Sequence, residues 1–134
     1  MKLKINPDKN KAEALLNMAR VTKERLDKTE KIKYPGNTLT DYYDILHKLM
    51  ETLSCLKGVK FKGDGAHQEL IDFICKEYNF HESDRLFSQQ LRDFRNKISY
   101  EGLDINQEYL IQNDEKIQKL TLKLRSLISE ADNA

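Results

Sequence analysis

The chain has 134 residues, of which 39% are hydrophobic and 34% charged, and its formal net charge is +1. This length predicts one domain spanning residues 1–134. The near-zero net charge excludes a protein-wide field strong enough to hold nucleic acid or an anionic membrane. No apolar run is long enough to span a bilayer, so no membrane contact is expected. Cys55 and Cys75 do not have the paired spacing of a disulfide framework or zinc site, and they predict core residues in a reducing cytoplasm.

The first half of the chain predicts two long helices. The first begins near Pro7-Asp8, with Asn6 as its cap, and ends before Tyr34-Pro35-Gly36-Asn37. The second is capped by Thr38 or Thr40 and stops at Gly58.

The second half predicts three more helices, after a flexible connector that includes Gly63 and Gly65. They run from Ala66 to Tyr78, from a cap at Ser83 to Gly102, and from Gln107 to Ala131. No segment alternates as a strand does. The fold class is therefore all-α, an up-and-down bundle of four to five antiparallel helices. Its expected core residues are Leu46, Leu49, Leu53, Phe73, Ile74, Phe94, Leu120 and Leu124.

One polar segment stands out beside the apolar stripe of the fourth helix, namely residues 91–102, with the sequence Leu-Arg-Asp-Phe-Arg-Asn-Lys-Ile-Ser-Tyr-Glu-Gly. The Arg95 stem can lie on the apolar face while its guanidinium reaches a cleft. A purely structural alternative pairs Arg95 with a carboxylate such as Asp93 or Glu101. On spacing alone, the structural interpretation is favoured. The sequence contains no Gly-rich phosphate loop, no metal-ligand motif and no cofactor motif, so neither a metal nor a cofactor is predicted.

Residues 95–102 resemble the signature of HEPN domains, in which an Arg and a following polar residue precede a His. The fold implied by that resemblance is a four- or five-helix bundle with the motif in a late helix. Active members use the Arg and the His of two subunits to cleave RNA without a metal. The resemblance therefore implies a homodimer, an RNA or nucleotide ligand and, for a toxin–antitoxin pair, a nucleotidyltransferase-type antitoxin partner.

Carried over by residue, Arg95 would bind phosphate, Asn96 would be the polar neighbour, and Tyr100 occupies the His position. Arg95 and Tyr100 would be catalytic only in an active enzyme. A tyrosine, with a pKa of about 10, is protonated at neutral pH and cannot replace an imidazole base. The loss of a general base costs about 10² to 10⁴ in rate.

Another histidine could supply the missing imidazole, and His67 is the best placed because it follows the flexible connector. The binding residues expected are thus Arg95, Asn96, Tyr100 and His67. Three functions stay open. The first is a binding module for RNA or a nucleotide with weak or no catalysis. The second is a metal-independent ribonuclease of toxin type, and the third is a purely structural bundle.

Overall fold

The computed structural model describes residues 1–133 and confirms the all-α prediction. Within these residues the chain forms five helices, and the third is the shortest, as expected. Their bounds are α1 (Lys9–Asp27), α2 (Pro35–Lys57), α3 (Ala66–Glu77), α4 (Glu82–Glu101) and α5 (Gln107–Asp132). No helix in this described part combines the length and apolar character that crossing a membrane requires.

Two short strands correct the prediction that the chain has none. Strand β1 (Lys2–Lys4) pairs antiparallel with β2 (Val59–Phe61), and Lys2 lies opposite Phe61. Each strand has three residues, too few to show a period-two pattern in the sequence. The pairing extends to a hydrogen bond of 2.8 Å from the Ile5 N–H to the Gly58 carbonyl.

The starts of α1 and α2 also differ from the prediction. Asp8, not Asn6, caps α1, and its carboxylate accepts from the Lys11 N–H at 3.0 Å. The extended strand and the Ile5 hydrogen bond delay the first helical turn. Helix α2 starts at Pro35, ahead of the predicted cap at Thr38, because the fixed φ of proline suits a first helical position.

The ends of α2 and α4 are the predicted glycines, Gly58 and Gly102, both in the left-handed conformation. Gly58 is also tightly enclosed. A Cβ built at Gly58 would lie 2.6 Å from the Ile5 carbonyl oxygen, whereas one at Gly102 would meet nothing within 4 Å.

Helix α2 is the centre of the bundle, since α1, α3, α4 and α5 all pack against it. Six of the eight expected core residues are buried, namely Leu46, Leu49, Leu53, Ile74, Leu120 and Leu124. The other two, Phe73 and Phe94, are only partly buried and pack against the core from outside. Their rings cover its edge, where Phe73 meets Phe61 and Phe94 meets Tyr109 edge-on at 5.2 Å. Both cysteines are buried thiols, as expected.

Candidate functional site

Arg95 lies on the side of α4 that faces α2. Its Nε is 3.5 Å from Oδ1 of Asp44, and its side chain is 25% exposed. This Nε is buried and has no hydrogen-bond partner among the described residues. A buried N–H without a hydrogen bond is costly, and native proteins rarely leave one unsatisfied. The Nε of Arg95 therefore forms an ion-pair contact with Asp44 but donates no hydrogen bond to it.

The structural alternative is realised with a different partner. Neither Asp93 nor Glu101 forms an ion pair with Arg95 within residues 1–133, and Asp93 instead pairs with Lys97 at 3.1 Å. Asp44 lies on another helix, so the sequence motif by itself could not indicate it.

Tyr100 lies on a different side of α4 from Arg95. Five residues along an α-helix correspond to a rotation of about 140°. Tyr100 is 79% exposed, while Arg95 and Asn96 are half-buried. The two side chains therefore leave α4 in different directions.

Two histidines stack between α2 and α3, and we call His47 and His67 the imidazole pair. Their ring centroids are 4.0 Å apart. Nδ1 of His47 is 2.9 Å from Oε1 of Glu51, and Nδ1 of His67 is 3.4 Å from the Tyr43 hydroxyl. Both rings thus have a fixed partner at one nitrogen, which orients them and leaves the second nitrogen for another group.

Burial and neighbouring cations keep His67 neutral. More than a third of the His67 surface is exposed, but desolvation of the rest is the largest cause that lowers the pKa of His67, to about 4. The charges of His47, Arg95 and Lys48 lower it further, and Glu51 opposes them. The Arg95 charge is among the causes of this lowered pKa, so Arg95 acts on His67 electrostatically. We call Arg95, Asp44 and the imidazole pair the Arg95 corner.

The pKa values of two carboxyl groups in this region, those of Asp44 and Glu51, are shifted, and each shift has opposing causes. Burial raises the pKa of Asp44, and the Arg95 charge only partly offsets it. Burial would also raise the pKa of Glu51, but hydrogen bonds from His47 and Lys48 prevail and take it to about 2. Glu51 is therefore ionised and fully engaged. Burial similarly raises the pKa of Tyr43, which stays a protonated donor despite Arg92 and Arg95 nearby.

A cavity of about 210 Å³ opens beside the imidazole pair, and we call it the imidazole cavity. It lies where β2, α1, α2 and α3 meet. Its lining residues are Ile5, Lys11, Leu15, His47, Glu51, Ser54, Cys55, Val59, Lys60, Phe61, Lys62, Gly63, Ala66, His67 and Leu70.

Of the four predicted binding residues, Arg95 acts electrostatically on the pKa of His67, whereas Tyr100 lies on a different side of α4 from Arg95. The sequence interpretation missed Asp44 and Glu51 and set His47 aside. The available signal was the polar stripe of α2, where Asp44, His47, Lys48 and Glu51 recur at three- and four-residue steps beside the apolar face.

The described residues contain no group of three His, Cys, Asp or Glu side chains placed to hold a metal ion. Comparisons with protein-family models, curated proteins and solved structures give no match to this chain.

Proposed function

We propose that the protein is a HEPN-like module that binds RNA or a nucleotide through phosphate contacts at the Arg95 corner, with weak or no catalysis. The observation that carries this proposal is the Arg95 side chain, which is 25% exposed and whose Nε donates no hydrogen bond among the described residues. A guanidinium presents its donors as a planar fork that matches phosphate oxygens. His67, on which the Arg95 charge acts, is partly exposed and offers a further hydrogen bond without adding charge.

Binding is preferred to catalysis because of the acid–base groups present. A general base works best when its pKa is close to the working pH. With a pKa of about 4, His67 is neutral but weakly basic, and Tyr100 carries a phenol in place of an imidazole. Neither group is tuned to remove a proton from a ribose hydroxyl near pH 7.

A second candidate is the metal-independent ribonuclease, and the imidazole pair favours it. His47 is oriented by Glu51 and stacked on His67, so two imidazoles lie in the neighbourhood of Arg95. A phosphate bound at Arg95 would also add a negative charge next to His67 and raise its pKa towards the useful range.

The proposal extends to assembly and context. The exposure of Tyr100 and its rotation away from Arg95 support a homodimer, in which the Tyr100 side of one copy meets the Arg95 corner of the other. We place this dimer in the cytoplasm, with a nucleotidyltransferase-type antitoxin as its partner. A neighbouring gene of that type supports the toxin–antitoxin part, and an unrelated neighbour counts against it.

The test of binding is a fluorescence anisotropy titration of labelled single-stranded RNA in the presence of a chelator. Arg95→Ala should weaken binding about ten- to hundredfold, the range for losing a hydrogen bond to a charged group. Arg20→Ala is the matched control, because Arg20 is an exposed arginine on α1 paired with Glu24. Equal effects of the two substitutions, or no RNA binding by the native protein, would refute the proposed site.

The same samples distinguish binding from cleavage. We expect little or no cleavage by the native protein and more by Tyr100→His. Robust native cleavage that disappears in both Arg95→Ala and His67→Gln would establish the ribonuclease instead. Sedimentation at tens of micromolar, a concentration suited to weak association, tests the dimer, and a purely monomeric protein would contradict it.

A further inference from the structure

The imidazole cavity has an apolar interior of limited size. Side chains of five apolar residues line it, namely Ile5, Leu15, Val59, Phe61 and Leu70. Its volume of about 210 Å³ exceeds that of an engineered cavity of about 150 Å³ that binds benzene, and it falls short of a pocket for a drug-sized molecule. The space therefore suits one aromatic ring, single or fused, with a small substituent.

Positive charge surrounds this apolar interior. Three lysines line the cavity, Lys11, Lys60 and Lys62, and we call them the lysine rim. Within residues 1–133 none of them has a carboxylate within 4.0 Å, although many other lysines and arginines of the chain do. Unpaired ammonium groups next to an apolar cavity favour a ligand with an anionic group.

The carboxylate that lines the cavity does not neutralise this rim. Glu51 is held by Nδ1 of His47 and by Nζ of Lys48, each at 2.9 Å. Its charge is thus already balanced on the α2 side. The cavity combines an apolar interior, aromatic side chains from Phe61 and the imidazole pair, and a net positive rim.

We propose that the imidazole cavity binds a small aromatic anion, a single or fused ring with one carboxylate or phosphate group. The ring lies among the apolar and aromatic side chains, and the anionic group contacts the lysine rim. This site goes beyond the proposed phosphate contact at Arg95, because Arg95 does not line the cavity. The two sites share the imidazole pair, so a ligand in the cavity also reaches the edge of the Arg95 corner.

Isothermal titration calorimetry with four probes tests the chemistry. Indole-3-carboxylate and phenyl phosphate carry a ring and an anion, indole-3-carboxamide carries a neutral ring, and inorganic phosphate carries the anion alone. We expect at least one of the two ring anions to bind. The carboxamide and inorganic phosphate should bind with at least about tenfold lower affinity. The stronger of the two ring anions identifies a carboxylate or a phosphate monoester as the natural class. No binding of either, or equal binding of indole-3-carboxylate and its amide, would overturn the proposal.

Two variants locate the site. The double variant Lys11→Gln with Lys62→Gln removes two charges of the lysine rim and should weaken binding of the ring anion by about tenfold. Ala66→Leu adds volume at the cavity wall and should also weaken ring-anion binding. Lys76 is exposed and does not line the cavity, so Lys76→Gln is the control and should leave this binding unchanged. Thermal unfolding confirms that each variant is folded. A ring anion that binds the double lysine variant and Ala66→Leu as tightly as it binds Lys76→Gln would refute this location.

The two sites are separable in the same experiments. Arg95→Ala should weaken RNA binding and leave ring-anion binding unchanged. The double lysine variant should weaken ring-anion binding far more than RNA binding. If ring-anion binding is lost in Arg95→Ala and kept in the lysine variant, the anion site is the Arg95 corner and the cavity proposal fails alone.

Discussion

Asp44→Asn should strengthen RNA binding, because the Asp44 carboxylate is the group that occupies Arg95. The distance from Nε of Arg95 to Oδ1 of Asp44 is 3.5 Å. At that separation, an effective dielectric constant of about 20 gives an attraction of about 4–5 kcal/mol before screening. The Asp44 side chain is 40% exposed, so solvent reduces this to about 1 kcal/mol.

Asp44→Asn removes this attraction of about 1 kcal/mol between Asp44 and Arg95, which corresponds to about a fivefold gain in affinity for phosphate. The neutral amide also removes the repulsion between the Asp44 carboxylate and the ligand. Because Arg95 is then no longer partly neutralised by Asp44, its phosphate contact should count more fully, and the dependence of log K on log salt should steepen by up to about 0.7 for a single strand. The cost to folding should be small, since burial already disfavours the Asp44 charge and raises its pKa.

The assay is the anisotropy titration repeated at several salt concentrations. Asp72→Asn is the matched control, because it removes one negative charge from an ion pair with an α4 arginine, Arg85, at 3.0 Å. Asp44→Asn should bind RNA more tightly than Asp72→Asn. Equal affinities and equal salt slopes for the two variants would show that Arg95 does not bind phosphate.

Three further predictions concern stability. Leu53→Ala should lower the free energy of unfolding by about 2–5 kcal/mol in urea, because Leu53 is fully buried. Leu122→Ala, at an exposed leucine, should change it by no more than about half a kcal/mol, and similar losses would mean that the core is misassigned. Gly58→Ala should destabilise the protein more than Gly102→Ala. Both introduce left-handed strain, but only at position 58 does the new Cβ meet a backbone oxygen; equal melting temperatures would refute this. The pKa of His67 is about 4 when folded and ordinarily 6.5, so folding favours its neutral form and stability should fall as pH drops from 6.5 towards 4. His67→Gln should lose less stability than the native protein in that window, and parallel pH profiles would contradict the shift.

The sequence predicted those features of the fold that depend on local preferences. Gly58 and Gly102 end helices because glycine readily adopts the left-handed conformation, and that preference is visible in the residue itself. The apolar spacing of α2 likewise placed Leu46, Leu49 and Leu53 in the core. The β1–β2 pairing was missed because it joins the two ends of the first half of the chain, and no local pattern records such contacts.

The candidate site was only partly predictable for the same reason. Arg95 was identified by its place in a polar segment, and His67 by its place after a flexible connector. Their proximity depends on how α3 and α4 pack against α2, as do the stacking with His47 and the ion pair with Asp44. The rotation of Tyr100 away from Arg95 is a local feature, because the five-residue spacing on a helix alone sets it at about 140°.

The most direct test of phosphate binding at Arg95 is a ¹H–¹⁵N NMR spectrum of the arginine Nε–H groups during titration with single-stranded RNA in a chelator. The Arg95 resonance is assigned by its absence from the Arg95→Lys spectrum. We predict that it shifts progressively and saturates, since this Nε–H donates no hydrogen bond and has only the ion-pair contact with Asp44 at 3.5 Å to exchange. The Nε–H of Arg20, already donated to Asn17, should stay in place. An Arg95 resonance that remains unchanged while RNA binds elsewhere would contradict the account.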